Sequence, residues 1–210
     1  MKKIMFNDRY ELTKKVLNGS KTQTRRVVPE GTIRMAEMEA KIHGRDITYY
    51  IEEHTPYCFL DEVAIAQSYS DIMPMLVSSF DSPHAYDSLR NEKGFRNKMF
   101  VRANLMPHRI RITGIKVERL QDISTEDCLA EGMDDDSADG AHLYWFSVST
   151  DQEDWRKINE ELSRHEWDGK KGSWFWNTAQ GAYHALIDCL DSTLWQRNPW
   201  VYAYTFELIK

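Results

Sequence analysis

Residues 106–124, MPHRIRITGIKVERLQDIS, hold the clearest strand signal in the chain, and the fold is read outward from them. Ile110 and Ile112 share one face of an extended segment, as a side-chain period of two requires. Ile115 and Val117 share a face too, but out of phase with the first pair. The phase flips at Gly114, which points to a β-bulge where the strand bends, as barrels commonly require. The next stretch, DISTEDCLAEGM (122–133), carries the marks of a short helix. Ser124 is the N-cap, Asp127 sits at N3, Ile123 and Cys128 form a hydrophobic staple, and Gly132 is the stop.

The flanking segments extend this pattern. KKIMFN (2–7) reads as a first strand, and DRYELTKKVLNG (8–19) as a helix with Asp8 as N-cap and Gly19 just past its end. KTQTRRVV (21–28) is β-branched and poor in helix formers, so it reads as a second strand. DEVAIAQSY (61–69) is a buried strand. AQGAYHALIDCLDSTLW (179–195) is an amphipathic helix, and another is expected around Asp151 to Arg164. The chain closes on NPWVYAYTFELI (198–209), where Trp200, Tyr202, Tyr204, Phe206 and Leu208 give a strand with an aromatic face. Residues 29–55, 70–94 and 134–180 look like polar, irregular insertions into this framework. The expected architecture is a single α+β domain over residues 1–210, built on a small β-barrel with flanking helices and long insertions.

Bulk properties narrow the function classes. Hydrophobic residues make up 41% of the 210, enough for a substantial core. The net charge of −6 argues against a non-specific nucleic-acid coat. Charge is polarised along the chain, however. Residues 87–119 carry nine basic and three acidic side chains, whereas residues 122–168 carry fifteen acidic and three basic. A basic face could hold a phosphate-bearing ligand; mutual neutralisation of the two segments is the other reading. Three cysteines without a CxxC pair argue against a disulfide framework or structural zinc, and seven histidines show no ligand spacing, so no metal and no cofactor is expected. With no signal-peptide run and no apolar stretch of membrane-spanning length, the expectation is a cytoplasmic protein without a membrane partner.

One stretch is not explained by core building. NGSKTQTRR (18–26) opens on a turn and alternates Thr with Lys, Gln and Arg. Taken with DEVAIAQSY, MPHRIRIT…KVERLQDISTEDCLAEG and NPWVYAYTFEL, in that order, it resembles the ASCH domain family of PUA-like β-barrels, in the enlarged form carried by phages and prophages. The resemblance covers the ordered framework and leaves the three insertions unmatched. It implies a cleft at the barrel mouth that receives RNA, a nucleotide or a modified nucleoside. One small bacterial branch consists of amidohydrolases that deacetylate N4-acetylcytidine. Carried over residue by residue, the resemblance places catalytic roles on Lys21, Thr24 and Glu131, with Arg26 on the motif's arginine.

The residues themselves set conditions on that chemistry. A threonine hydroxyl becomes nucleophilic only when a base takes its proton, and a lysine serves as that base only if burial or neighbouring cations such as Arg25 and Arg26 lower its pKa. Thr22, Thr24 and Arg26 share a face in a regular strand, so Lys21 can meet Thr24 only from the turn before the pleat begins. Glu131, at a helix C-terminus, needs a nearby cation and fits better as a proton shuttle or holder of the substrate amine than as a direct partner of Lys21. Arg109 and Arg111 are candidate phosphate contacts, with ion pairing to the acidic half as the alternative. Trp174 and Trp176 are candidate base-stacking residues, with core filling as the alternative. A phage accessory protein whose insertions bind a host protein is a further reading.

Overall fold

The computed structural model describes residues 1–77, 83–136, 142–149, 152–164, 166–167, 170–171 and 174–209. Lys210 and the remaining parts of the second and third insertions, including Asp151 and four residues of WDGKKGSWFW (168–169 and 172–173), lie outside the described residues. In chain order the strands are β1 (Lys3–Ile4), β2 (Gln23–Val27), β3 (Glu62–Ile65), β4 (Arg109–Arg119), β5 (Asp134–Asp136), β6 (Leu143–Trp145), β7 (Glu166–Trp167), β8 (Lys170–Lys171) and β9 (Trp200–Ile209). The α-helices are α1 (Leu12–Leu17), α2 (Glu30–His43), α3 (Ile47–Glu53), α4 (Tyr69–Val77), α5 (Pro83–Arg90), α6 (Thr125–Ala130), α7 (Gln152–Arg164), α8 (Ala179–Leu190) and α9 (Leu194–Arg197). The protein is therefore a mixed α+β structure.

Its centre is a five-stranded sheet in the order β1-β3-β4-β9-β2, with β1 parallel to β3 and the other pairings antiparallel. The long strands β4 and β9 form the spine, and the register between them shifts between Ile112 and Gly114. That shift is the expected bulge. At Gly114 the partner strand comes close: a Cβ there would sit 3.3 Å from Thr205 Cβ. Ile110, Ile112, Tyr202, Tyr204 and Phe206 build one face of the core with Val63, Ile65 and Ile4. The tyrosine hydroxyls on this aromatic face are satisfied from the layer above it. Tyr202 donates to the Ile51 carbonyl at 3.0 Å, and Tyr204 shares a 2.6 Å hydrogen bond with Thr55. The face is thus core. On the other side, Val201 joins Tyr10, Leu120, Ile123, Cys128 and the apolar side of α8 in a second cluster.

Several expectations change. Asp8 lies in a short 3-10 turn capped by Asn7, with α1 starting only at Leu12, and the helix expected over 179–195 ends at Leu190, with α9 separate. The barrel does not close: β1 and β2 are the two edges of an open sheet. With only two residues in β1, the chain leaves the sheet at Met5, and side chains bridge the gap in place of a backbone ladder. Arg26 of β2 donates to the Met5 carbonyl and lies 5.8 Å over the Phe6 ring. The first insertion is also not irregular. Its polar residues form α2 and α3, which cover the aromatic face with Ala36, Tyr50 and Ile51. Much of the second insertion likewise forms α4 and α5.

Candidate functional site

The turn after α1 sets the geometry. Gly19 adopts φ +83°, a left-handed value that favours glycine. Asn18 Oδ1 accepts from the Ser20 amide at 3.0 Å and from the Ser20 hydroxyl at 2.7 Å. Lys21 N–H then bonds back to the Lys15 carbonyl at 2.9 Å. Because β2 begins only at Gln23, Lys21 is still in the turn and its side chain points inward. Opposite it, Ser124 caps α6 by accepting from the Asp127 amide. Gly132, at φ +100°, ends that helix. The Thr22 amide donates to the Ala130 carbonyl at 2.9 Å, which ties the turn to the end of α6 and brings Glu131 over Lys21.

There Lys21 Nζ donates to Glu131 Oε2 at 2.5 Å and to the Glu131 carbonyl at 2.6 Å, across 110 positions of sequence. The side chains are 1% and 7% exposed. The cation that a carboxylate at a helix C-terminus requires is therefore present, and Glu131 pairs directly with Lys21, where the sequence favoured a proton shuttle or a holder of the substrate amine. Arg25 reinforces it. Its guanidinium contacts Glu118 at 2.5 Å, Asp127 at 2.8 Å and Glu131 at 3.4 Å, and donates to Gln23 Oε1 at 2.5 Å.

Burial lowers the Lys21 pKa from its ordinary value. Glu131 opposes the shift, and Arg26 and Arg25 add to it. For Arg25, burial works against the charge, but Glu131, Tyr183 and Glu118 outweigh it and the pKa is raised. Burial also pushes the nearby Cys128 thiol up to about 12, so it offers no thiolate nucleophile.

A cavity of about 620 Å³ opens along the free edge of β2, facing the residues after β1. An edge strand lets side chains of both parities reach one space. Thr24 and Arg26 enter from the aromatic face, Arg25 from the other, and Lys21 from the turn. Glu131, Tyr183, Phe6, Asp8 and Lys98 complete the polar and aromatic walls. Five of the residues singled out in the sequence thus converge: Lys21, Thr24, Arg25, Arg26 and Glu131.

The others do not. Thr22 precedes the pleat and is exposed, outside this lining. Arg109 and Arg111 pair with Glu62, and Arg111 also with Glu207, on neighbouring strands; these partners do not belong to the acidic segment. Trp176 is fully buried and stacks on Phe146 at 5.5 Å, so it fills the core. Trp174 packs beside Phe146 on a separate, largely aromatic cleft with Trp145 and Phe175.

Sequence reasoning missed Tyr183 and Lys98. Tyr183 lies in a helix read correctly as amphipathic, where a lone tyrosine among alanines was the available signal. Lys98 sits in a non-periodic segment. Its Nζ bonds the Phe6 carbonyl, Thr13 Oγ1 at 3.2 Å and Asp8 Oδ2 at 2.6 Å, which closes one end of the cavity. Among the described residues, no group of three or more His, Cys, Asp or Glu side chains is placed to hold a metal ion, and no helix is long and apolar enough to cross a membrane. The chain matches no family model, no curated protein and no solved structure.

Proposed function

We propose that the protein is an ASCH-type, PUA-like module whose edge cleft binds a nucleotide or modified nucleoside, with RNA as the polymeric source of the same group. The observation that carries this reading is the meeting of Lys21 and Glu131, from opposite halves of the chain, with Thr24 and Arg26 in one cavity. A cavity of about 620 Å³ suits a nucleoside-sized group. Its cations are largely matched: Lys21 and Arg25 by carboxylates, Lys98 by Asp8. That balance favours a polar ligand of low charge over a long polyanion. Equilibrium dialysis against cytidine, N4-acetylcytidine and a short single-stranded RNA tests the reading. Saturable nucleoside binding lost in Thr24→Ala and weakened in Arg26→Ala supports it; no binding of any of the three overturns it.

A second reading, an amidohydrolase acting on an acylated base, is favoured by a specific pair of observations. Lys21 is a buried amine with a lowered pKa, and the Thr24 hydroxyl in the same cavity has no hydrogen-bond partner among the described residues. An amine that loses its proton more readily than an ordinary lysine is suited to take one from Thr24 Oγ1 as that oxygen attacks the acyl carbon and to pass it to the departing amine nitrogen as the C–N bond breaks, after which water hydrolyses the acyl-threonine ester. Glu131 would hold and orient the lysine. Chromatographic detection of cytidine released from N4-acetylcytidine, abolished in Lys21→Met and Thr24→Ala, separates the enzyme from the binding module.

A further inference from the structure

Tyr183 stands at the cavity wall. It projects from the first half of α8 and is 2% exposed, yet its hydroxyl has no hydrogen-bond partner among the described residues. Among the described residues Tyr50 and Tyr144 are also buried with no hydrogen bond from the hydroxyl, whereas other buried tyrosines find protein partners. Tyr202, Tyr204 and Tyr10 place their hydroxyls on the Ile51 carbonyl, on Thr55 and on the Cys189 carbonyl. Tyr183 is buried as a residue, but its hydroxyl oxygen is not one of the buried side-chain atoms left without a partner, so the hydroxyl itself opens onto the cavity, where a bound group can meet it. The ring does not need the hydroxyl for its packing, since it is held by the apolar cluster around α8 and an edge contact with Trp195 at 6.3 Å.

The surroundings say what the hydroxyl is for. Tyr183 lines the cavity that Lys21, Thr24, Arg25, Arg26 and Glu131 also line, and its charge state is coupled to Glu131, Arg25 and Arg26. Those charged groups are already engaged with protein partners: Lys21 with Glu131, Arg25 with three carboxylates, Arg26 with the Met5 carbonyl. Among the described residues of this wall, Thr24 and Tyr183 carry neutral hydroxyls without hydrogen-bond partners.

We infer that Tyr183 is a ligand-binding residue of the cleft, donating a hydrogen bond from its neutral phenol to an uncharged acceptor, such as a carbonyl oxygen, on the bound molecule. The inference rests on the reading of the cleft as a ligand site and adds to it a residue outside the motifs that suggested the site. Burial, reinforced by Glu131, raises the phenol pKa well above its ordinary value, so the group stays a donor throughout the physiological range. A neutral donor favours a carbonyl over an ammonium group, which cannot accept, and gives no long-range attraction to phosphate.

The test is Tyr183→Phe, which keeps the ring and removes only the hydroxyl. Thermal melting of the ligand-free protein and equilibrium dialysis with cytidine and N4-acetylcytidine are measured on both proteins. The inference predicts an unchanged or slightly higher melting temperature in the variant, because no protein hydrogen bond is lost, together with about 10-fold weaker nucleoside binding. Equal binding by both proteins overturns the role of Tyr183 and leaves the cleft assignment standing. A variant that melts several degrees lower makes the hydroxyl structural and overturns the inference. A wild-type protein that binds neither nucleoside overturns the cleft assignment and this inference together.

Discussion

Two arginine-centred networks occupy the same face of the central sheet and differ in what covers them. Arg25 lies opposite Ala203 of β9, and Arg111 lies opposite Glu207 of the same strand. Each arginine meets more than one carboxylate. Over the first, α6 contributes Asp127 and Glu131 and α8 contributes Tyr183, so the Arg25 side chain is 2% exposed. The second has no such roof, and Arg111 is 38% exposed. Residue type therefore does not separate a covered cluster from a solvated one. The helices above the sheet do. Under cover, the low dielectric strengthens each pairing and makes an unpaired charge expensive; in solvent, screening removes most of both effects.

The largest test of that contrast is Glu131→Ala. It leaves Lys21 without its carboxylate in a buried site, and a loss of about 3–5 kcal/mol is expected in urea unfolding, together with loss of nucleoside binding. The pH dependence sharpens the same point. Burial holds the folded-state pKa of Lys21 below its ordinary 10.5. Between those two values the unfolded chain carries the extra proton, so the Lys21 contribution to stability rises as pH rises through that window and is flat below it. Comparing urea midpoints of wild type and Lys21→Met from neutral pH to pH about 10 should show wild type gaining on the variant at the alkaline end.

A smaller effect is expected at Gly132. A Cβ there would be forced onto a left-handed backbone, 3.2 Å from Lys15 Cδ and 3.5 Å from Lys21 Cβ. Gly132→Ala should cost about 1–2 kcal/mol in the same unfolding measurement and push the Lys15 side chain aside. The smallest effect belongs to the uncovered network. Arg111→Ala should change stability by about 0–1 kcal/mol and leave nucleoside binding untouched. If Arg111→Ala and Glu131→Ala proved equally costly, cover would not be what distinguishes the two.

Local rules made the framework legible. The phase flip at Gly114 located a real bulge, Ser124 and Gly132 delimited α6, and the alternation of residues 200–208 found β9. What failed was reading polarity as irregularity. In residues 30–43, Ala, Met, Glu and Lys favour a helix by intrinsic propensity, and only a narrow stripe around Ala36 is buried, so no broad apolar face advertised α2. Sheet closure was illegible for a different reason. Two residues of β1 are too few for a ladder to β2, and the Arg26 bridge to Met5 depends on tertiary placement.

At the site, the order of motif residues indicated which side chains would meet, and the turn at Gly19 explains how Lys21 and Thr24 escape strand parity. Cover could not be read. Arg109, Arg111, Trp174 and Trp176 were chosen by chemical type, and their environments assign them to exposed ion pairs or to aromatic packing.

The central claim is that the space along the β2 edge is a ligand site lined by Thr24 and closed by the Lys21–Glu131 pair. Thr22 and Thr24 provide a built-in comparison, one in solvent and one in the cavity wall. In protein labelled at threonine methyl groups, titration with cytidine and N4-acetylcytidine followed by NMR should shift the Thr24 methyl signal saturably while the Thr22 signal stays in place. A Thr24 signal that does not move at millimolar nucleoside, or a Thr22 signal that moves as much, would contradict the claim.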